Sequence, residues 1–307
     1  MHVPELSRDL AQTLRAVTCG AALCDAAARL AGMTERTWQA FSVEIADHIA
    51  HVTLLGPGKG NAMGPDFWSE SPELFAQLDA DPEVRAVVLA GSGRNFTYGL
   101  DLAAMAGTFG PLMADKALAG PRTSFHDTIK TMQKAINAVA DCRKPVVAAV
   151  QGWCIGGGVD LITAADVRYA SADAKFSVRE VRVAIVADMG SLARLPAIIG
   201  DGHMRELALT GKDIDAARAE KIGLVNDVFE DHDATLAAAR DCAAAIAANP
   251  PLVVQGIKTV LDHSRSSSVD DSLRYVAAWN AAFLASHDLT EAITSVFEKR
   301  PAQFTGN

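Results

Sequence analysis

The sequence predicts an α/β protein, and three observations carry that expectation. Compact apolar runs of strand length alternate with segments of helical spacing, glycine-rich turns follow those runs, and half of the 307 residues are apolar. Residues 41–55 alternate apolar and polar side chains as half-buried strands do, and a Gly/Pro turn at 56–60 closes them. Residues 67–78 have helical spacing. Residues 84–90 form an apolar run ending in Gly91-Ser92-Gly93, the pattern of a buried strand entering a loop. The stretch 107–121 carries Gly107, Gly110, Pro111, Gly120 and Pro121 and reads as a loop. Residues 126–140 read as a helix with His126 at its head. Residues 145–150 form a second buried strand, followed by Gly152, by Gly156-Gly157-Gly158 and by a helix over 159–165. Short strands at 167–170 and 175–178 and a short helix at 191–199 come next. From Met204 onward the pattern is mostly helical, with Pro250-Pro251 opening one of the later helices. Strands alternating with helices need crossover connections, hence largely parallel pairing.

Composition narrows the function classes. The net charge is −9, and no Lys/Arg cluster has the density a duplex nucleic-acid binder needs. A smaller anionic ligand remains compatible, because a local cationic pocket can sit on an acidic protein. Five cysteines at irregular spacings argue against a disulfide framework and for a reducing compartment. Cys19 and Cys24 lack the partner pairs a zinc site needs, and no metal is expected. No apolar run reaches the length of a membrane span. The first forty residues are Ala-rich and read as a helical extension. They contain Glu5, Asp9, Asp25 and Glu35, which transit peptides avoid, and Phe304-Thr305-Gly306-Asn307 is not a peroxisomal address. The expectation is a cytoplasmic protein with neither nucleic acid nor membrane as a partner.

The most informative stretch is 146–161, VVAAVQGWCIGGGVDL, where a buried strand meets a run of glycines that opens a helix. Glycines permit close backbone approach, and the first N–H groups of a helix are unpaired and lie at the positive end of its dipole. No Gly-Lys-Ser/Thr follows, so this is not a phosphate loop, and the glycine spacing does not fit a dinucleotide fingerprint. Two readings stay open: a tight packing turn, or half of an oxyanion hole. A second turn, GRNFTYGLDL at 93–102, also follows a buried strand and offers a backbone N–H near Gly99-Leu100. An oxyanion hole needs two donors from different segments, and this chain has two such turns.

FTYGLDL followed some fifty residues later by CIGGGVDL resembles the crotonase, or enoyl-CoA hydratase/isomerase, superfamily over residues 41–300. KPVVAAVQGWCIGGGVDLITAADVRYAS, KFSVREVRVAIVADMGSLARLPAIIG and SVDDSLRYVAAWN resemble its Δ3,5-Δ2,4-dienoyl-CoA isomerase branch. The helical extension over 1–40 lies outside the match, and the resemblance implies a spiral of ββα turns over 41–240 and a helical trimerisation region over 241–307. It implies an acyl-CoA thioester as substrate, no cofactor beyond the coenzyme A it carries, and a homotrimer or homohexamer. The thioester oxygen would be held by the N–H groups of Leu100 and Gly157. Coenzyme A would run along Lys59, Asn61, Ala62 and Met63, with Gly99, Asp101 and Gly156 beside it. Trp153 is a candidate wall of the acyl pocket, and Lys299 matches a lysine that reaches a CoA phosphate.

Three acids bear on the chemistry: Asp160, Glu180 and Asp188. Each has a plain structural reading. Asp160 could complement its helix N-terminus, Glu180 could pair with Arg179 or Arg182, and Asp188 could cap the helix near Ser191. The resemblance links them. Hydratases of the family carry Glu at the first two positions and Gly at the third, whereas Asp, Glu and Asp match the dienoyl isomerases. Hydration needs two acids to hold one water. A 3,5-to-2,4 shift removes a proton at C2 and returns one at C6, which suits two carboxylates on opposite sides of the chain. Glu180 and Asp188 are that pair, with Asp160 orienting the site. The rivals are an enoyl-CoA hydratase, a Δ3-Δ2-enoyl-CoA isomerase and a non-catalytic acyl-CoA-binding homologue. Cys154 is expected to be a buried structural thiol.

Overall fold

The computed structural model describes residues 37–56, 60–110 and 118–307. The extension expected over 1–40 falls, up to residue 36, outside the described residues, as does Lys59. Residues from Gln39 to Asn307 form one compact unit. In chain order its elements begin with β1 (Phe41–Ala46), β2 (Ile49–Leu54), α1 (Pro65–Ala80), β3 (Ala86–Gly91), α2 (Ala106–Phe109) and α3 (Ala119–Asp141). The middle holds β4 (Val146–Val150), β5 (Trp153–Ile155), α4 (Gly157–Ala164), β6 (Val167–Ser171) and β7 (Lys175–Ser177). A 3₁₀ turn at Glu180–Val183 follows, then α5 (Ser191–Ile199) and α6 (Asp201–Thr210). The chain ends with β8 (Asp213–Asp215), α7 (Ala216–Lys221), β9 (Asp227–Phe229), α8 (His232–Ala247), α9 (Pro251–Ser264), α10 (Val269–Phe283) and α11 (His287–Glu298). Among the described residues no helix is long and apolar enough to cross a membrane.

One sheet has the order β1-β2-β3-β4-β6-β9, with β1 antiparallel to β2 and every later pair parallel. β3 and β4 are buried at every residue, which is why they read as unbroken apolar runs rather than alternating ones. Ala239, Ala243 and Ala247 of α8 lie against Val88, Val147 and Ala149 on one face of this sheet. Their spacing of four puts three small side chains on one stripe and lets the helix sit close.

A second sheet, β5-β7-β8, is extended by two isolated parallel bridges, Met63 to Leu100 and Thr97 to Cys154. The chain therefore repeats one path. A strand of the large sheet turns a corner, adds a short strand to the small sheet and enters a helix. β4-β5-α4 is one such turn, and β6-β7 followed by the 3₁₀ turn and α5 is the next. The corner after β4 is Gly152, at φ +54°, where an added β-carbon would lie 2.2 Å from the Arg94 carbonyl oxygen. Only glycine fits such a corner without strain. This is the mixed α/β architecture the sequence predicts.

Several expectations need correction. The loop expected over 107–121 is partly helical: α2 includes Gly107, and α3 begins at Ala119, so Gly120 and Pro121 sit in its first turn. Proline is tolerated there because a first-turn N–H has no intrahelical acceptor. His126 accordingly lies inside α3 rather than at its head, exposed beside Asp127. The segment after Met204 contains two three-residue strands, and Trp153–Ile155 is a strand as well. Three residues are too few to display a period.

The side chain of Asn61, a residue expected along the coenzyme A path, is a staple between loops. It is buried, its Nδ2 donates to the carbonyls of Ser92, Asn95 and Phe96, and its Oδ1 accepts from Ser92 Oγ at 2.7 Å. Asn61→Ala leaves these carbonyls without a donor and puts alanine at φ +49°. Urea denaturation should register a loss of about 2–3 kcal/mol.

Candidate active site

Successive turns of the spiral bring two backbone N–H groups together. In the bridge to Met63, the Gly99 carbonyl accepts from Met63 N at 2.8 Å and Asp101 N donates to the Met63 carbonyl at 3.1 Å. Residues alternate in direction along an extended segment, so the N–H of Leu100, between them, faces away from Met63. Gly157 is the first residue of α4, whose opening N–H groups have no acceptor inside the helix. A β-carbon built on Gly99 would lie 3.0 Å from Gly157 N, and one built on Gly157 would lie 3.7 Å from Leu100 N. The two donors thus stand side by side, and glycine at 99 and 157 is what allows it. At Gly99, φ is +77° and an added β-carbon would lie 2.5 Å from the Ile155 carbonyl oxygen.

These donors open into a cavity of about 200 Å³ that Asp160, Glu180 and Asp188 all line. Trp68, Met132 and Met189 supply apolar walls. The indole of Trp68 is fixed by donating to the Met63 carbonyl at 3.1 Å. Trp68 and Met132 escaped the sequence reading because their helical spacing marks them simply as core. Both are indeed buried, and nothing in a period tells a core wall from a cavity wall.

Each acid departs from its plain structural reading. Glu180 opens the 3₁₀ turn, with Oε1 against Gly156, where a β-carbon would lie 3.2 Å away. Its Oε2 is buried and has no hydrogen-bond partner among the described residues. Arg179 and Arg182 do not pair with it. They turn to Asp213, at 2.7 and 3.9 Å. Asp160 is 1 % exposed and accepts at Oδ1 from the N–H of Ser191, 2.5 Å away, so it serves the start of α5 rather than of its own helix. Asp188 is half-buried, and Gly190, not Asp188, is the N-cap of α5. Gln133 Nε2 donates to the Asp188 carbonyl at 2.7 Å.

Burial raises all three carboxyl groups above their usual range, and repulsion adds to the rise of Asp160 and Glu180. Burial, then the Asp160 charge and that of Asp188, pushes Glu180 up to about 7. Burial pushes Asp160 up to about 6, against the pull of the Ser191 N–H, with Asp188 adding to the rise and Arg194 opposing it. Asp188 is raised by burial. Such a set can hold a proton on one carboxyl while another is ionised near neutrality, the condition for acid and base to act in one reaction.

Other candidates lie outside the cavity lining. Trp153 is half-buried on β5, with the guanidinium of Arg179 4.9 Å and the Lys175 ammonium 5.2 Å from its ring, so it does not wall the cavity. Asp101 caps the following turn by accepting from Ala104 N at 2.9 Å. Met63 is buried beneath Gly157, Ala62 is half-buried beside it, and Lys299 is exposed at the C-cap of α11. Gly156 does line the cavity. Cys154 is fully buried under Gly158, and burial pushes its thiol well above the usual range.

The raised Glu180 carboxyl carries a cost that pH exposes. The reference value is 4.5 and the folded value about 7. Between them the folded chain holds more protons than the unfolded one, so stability falls as pH rises through that window. The penalty is absent below it and complete above it, on the order of 3 kcal/mol. Glu180→Gln removes it. The variant should exceed the parent by that amount at about pH 8 and match it near pH 4, as read by chemical denaturation.

The family model described as enoyl-CoA hydratase/isomerase matches residues 44–307. A mitochondrial Delta(3,5)-Delta(2,4)-dienoyl-CoA isomerase of Dictyostelium discoideum is 44 % identical over 84 % of this chain and 88 % of its own. A peroxisomal Delta(3,5)-Delta(2,4)-dienoyl-CoA isomerase of Arabidopsis thaliana is 42 % identical over 83 % and 92 %. Among solved structures, a putative enoyl-CoA hydratase from Streptomyces coelicolor matches with a TM-score of 0.80 at 32 % identity, covering 88 % of this chain and 96 % of that one. With matches of this extent, the chain belongs to the enoyl-CoA hydratase/isomerase family.

Proposed function

We propose that the chain isomerises 3,5-dienoyl-CoA thioesters to 2,4-dienoyl-CoA thioesters in the degradation of fatty or related acyl chains. The observation that supports it best is the cavity in which Asp160, Glu180 and Asp188 stand beside the Leu100 and Gly157 donors. The dienoyl-CoA isomerases of Dictyostelium and Arabidopsis support the same reading by their sequence likeness.

The thioester oxygen sits between the N–H groups of Leu100 and Gly157. As the C2–H bond breaks, its electron pair becomes the C1=C2 bond of an enolate and the carbonyl pair moves onto that oxygen. Loss of one such donor typically costs roughly 3–4 kcal/mol in the transition state. When the carbonyl re-forms, the C1=C2 and C3=C4 pairs become C2=C3 and C4=C5, and the C5=C6 pair takes the new proton at C6. One of Glu180 and Asp188 receives the proton from C2 and the other delivers one to C6. Asp160 acts by position: its Oδ1 is engaged by Ser191 N–H, so it does not combine with Glu180 to hold a water. Coenzyme A lies along residues 59–63, with Gly99 and Asp101 behind that path, and the reaction needs no further cofactor. Copies of the chain associate as a trimer or a dimer of trimers through α9–α11, which expose Val253, Ile257, Leu261, Phe283 and Leu284 around an apolar groove of about 280 Å³. Lys299 reaches a CoA phosphate in that assembly.

A 3,5-dienoyl-CoA and a 2-enoyl-CoA separate this reading from hydration. Growth of the conjugated 2,4-diene absorbance without 3-hydroxyacyl product is expected, and efficient water addition would reject the proposal. Glu180→Gln and Asp188→Asn, made separately, should each slow turnover by about 10²–10⁴-fold with the fold retained. If both keep full activity, these residues do not carry the protons.

A further inference from the structure

Asp188 stands in the wall between two cavities. On one side is the cavity already described. On the other is a second, of about 310 Å³, lined by Gln133 and Asn137 of α3 and by Arg194 of α5. Asp188 and Met189 are the residues the two share, whereas Glu180 and Asp160 line the first but not the second. The second cavity is large enough for several waters, each of which occupies about 30 Å³ in the liquid. Its lining forms hydrogen bonds: Arg194 Nη2 donates to Asn137 Oδ1 at 2.6 Å, and Gln133 holds the Asp188 carbonyl.

The proposed isomerisation leaves a debt of protonation, and the following rests on that reading. In each turnover one carboxylate gains the proton from C2 and one carboxyl group loses its proton to C6. The substrate ends with as many protons as it began with, but the two acids have exchanged states. Before the next turnover one must release a proton and the other must regain one. Glu180 Oε2 is buried without a hydrogen-bond partner among the described residues and lines the first cavity, where the proposed acyl chain would sit. Asp188 alone of the three has a second face.

We infer that the second cavity is the proton-exchange route of Asp188: water there reloads or unloads its carboxyl group between turnovers, whichever end of the diene it serves. Asn137, Gln133 and Arg194 are positioning residues for that water. None of them touches the acyl chain, so their influence falls on resetting the enzyme and not on the bond-breaking step.

Two variants test this independently. Asn137→Leu removes a polar wall, and Ala193→Phe fills the space from α5. Rapid mixing with a 3,5-dienoyl-CoA should show one equivalent of product per site formed at the parent rate, then a steady state about tenfold or more slower. The value of kcat/KM should be unchanged, so KM falls together with kcat. A merely structural fault would slow the first turnover as much as the later ones. One variant with the burst and the slow steady state supports the inference, and absence of that pattern in both overturns it. Failure of the unaltered enzyme to convert the diene at all would instead sink the isomerase reading.

Discussion

Everything in the site depends on two main-chain amides held side by side by parallel pairing between successive turns of the spiral. Leu100 faces the cavity because the residues on either side of it bond to Met63. Gly157 faces it because α4 starts there. Neither orientation is a side-chain property, and neither can be adjusted by a rotamer. The fold supplies it through the register of Met63 with Leu100 and of Thr97 with Cys154. Glycine is required where these turns touch, since a β-carbon on Gly158 would meet Thr97 Cγ2 at 2.5 Å. Donors fixed in this way need no reorganisation when charge develops on an oxygen between them.

The same compactness makes the acids unusual. Three carboxyl groups in one small cavity repel one another, and burial removes the water that would screen them. The protein tolerates this by engaging one of them. Asp160 takes the Ser191 N–H, a helix-start donor that would otherwise lack an acceptor. That contact offsets part of its burial penalty and leaves Glu180 the most strongly raised of the pair whose values can be compared, about 7 against about 6. The cost is stability at neutral and alkaline pH, as is usual where an active site is built against the preferences of the fold.

Long or strongly patterned elements were legible in the sequence. β3, β4 and α5 are visible as an apolar run, a second apolar run and a periodic stripe, and the glycines after β4 announce the start of α4. Side-chain direction at corners was not legible. Trp153 looks like a pocket residue beside three glycines, yet its strand turns the ring toward Arg179 and Lys175. Arg179 and Arg182 look like partners for the acid between them, yet Asp213, more than thirty residues away, takes both. The side-chain partners of Asn61 are invisible in its own loop, because its staple role depends on carbonyls some thirty residues distant. Local sequence sets local conformation, and these three contacts are all made across the spiral.

The length of one side chain is where fold and proposed chemistry meet. A glutamate at 160 would carry its carboxyl group one methylene further from α4, toward the space that Glu180 faces. Two acids so placed can share a water, which is what hydration needs. Aspartate stops short, and its oxygen is held at the start of α5. The proton-carrying partner of Glu180 must then come from elsewhere. Asp188, three residues before α5, is on the cavity wall because the chain passes there on its way to the helix that Asp160 anchors. Shortening one acid and adding another are therefore a single change in design. On the proposed reading, the first removes the water site, and the second supplies the other of the two proton carriers that a conjugated shift requires.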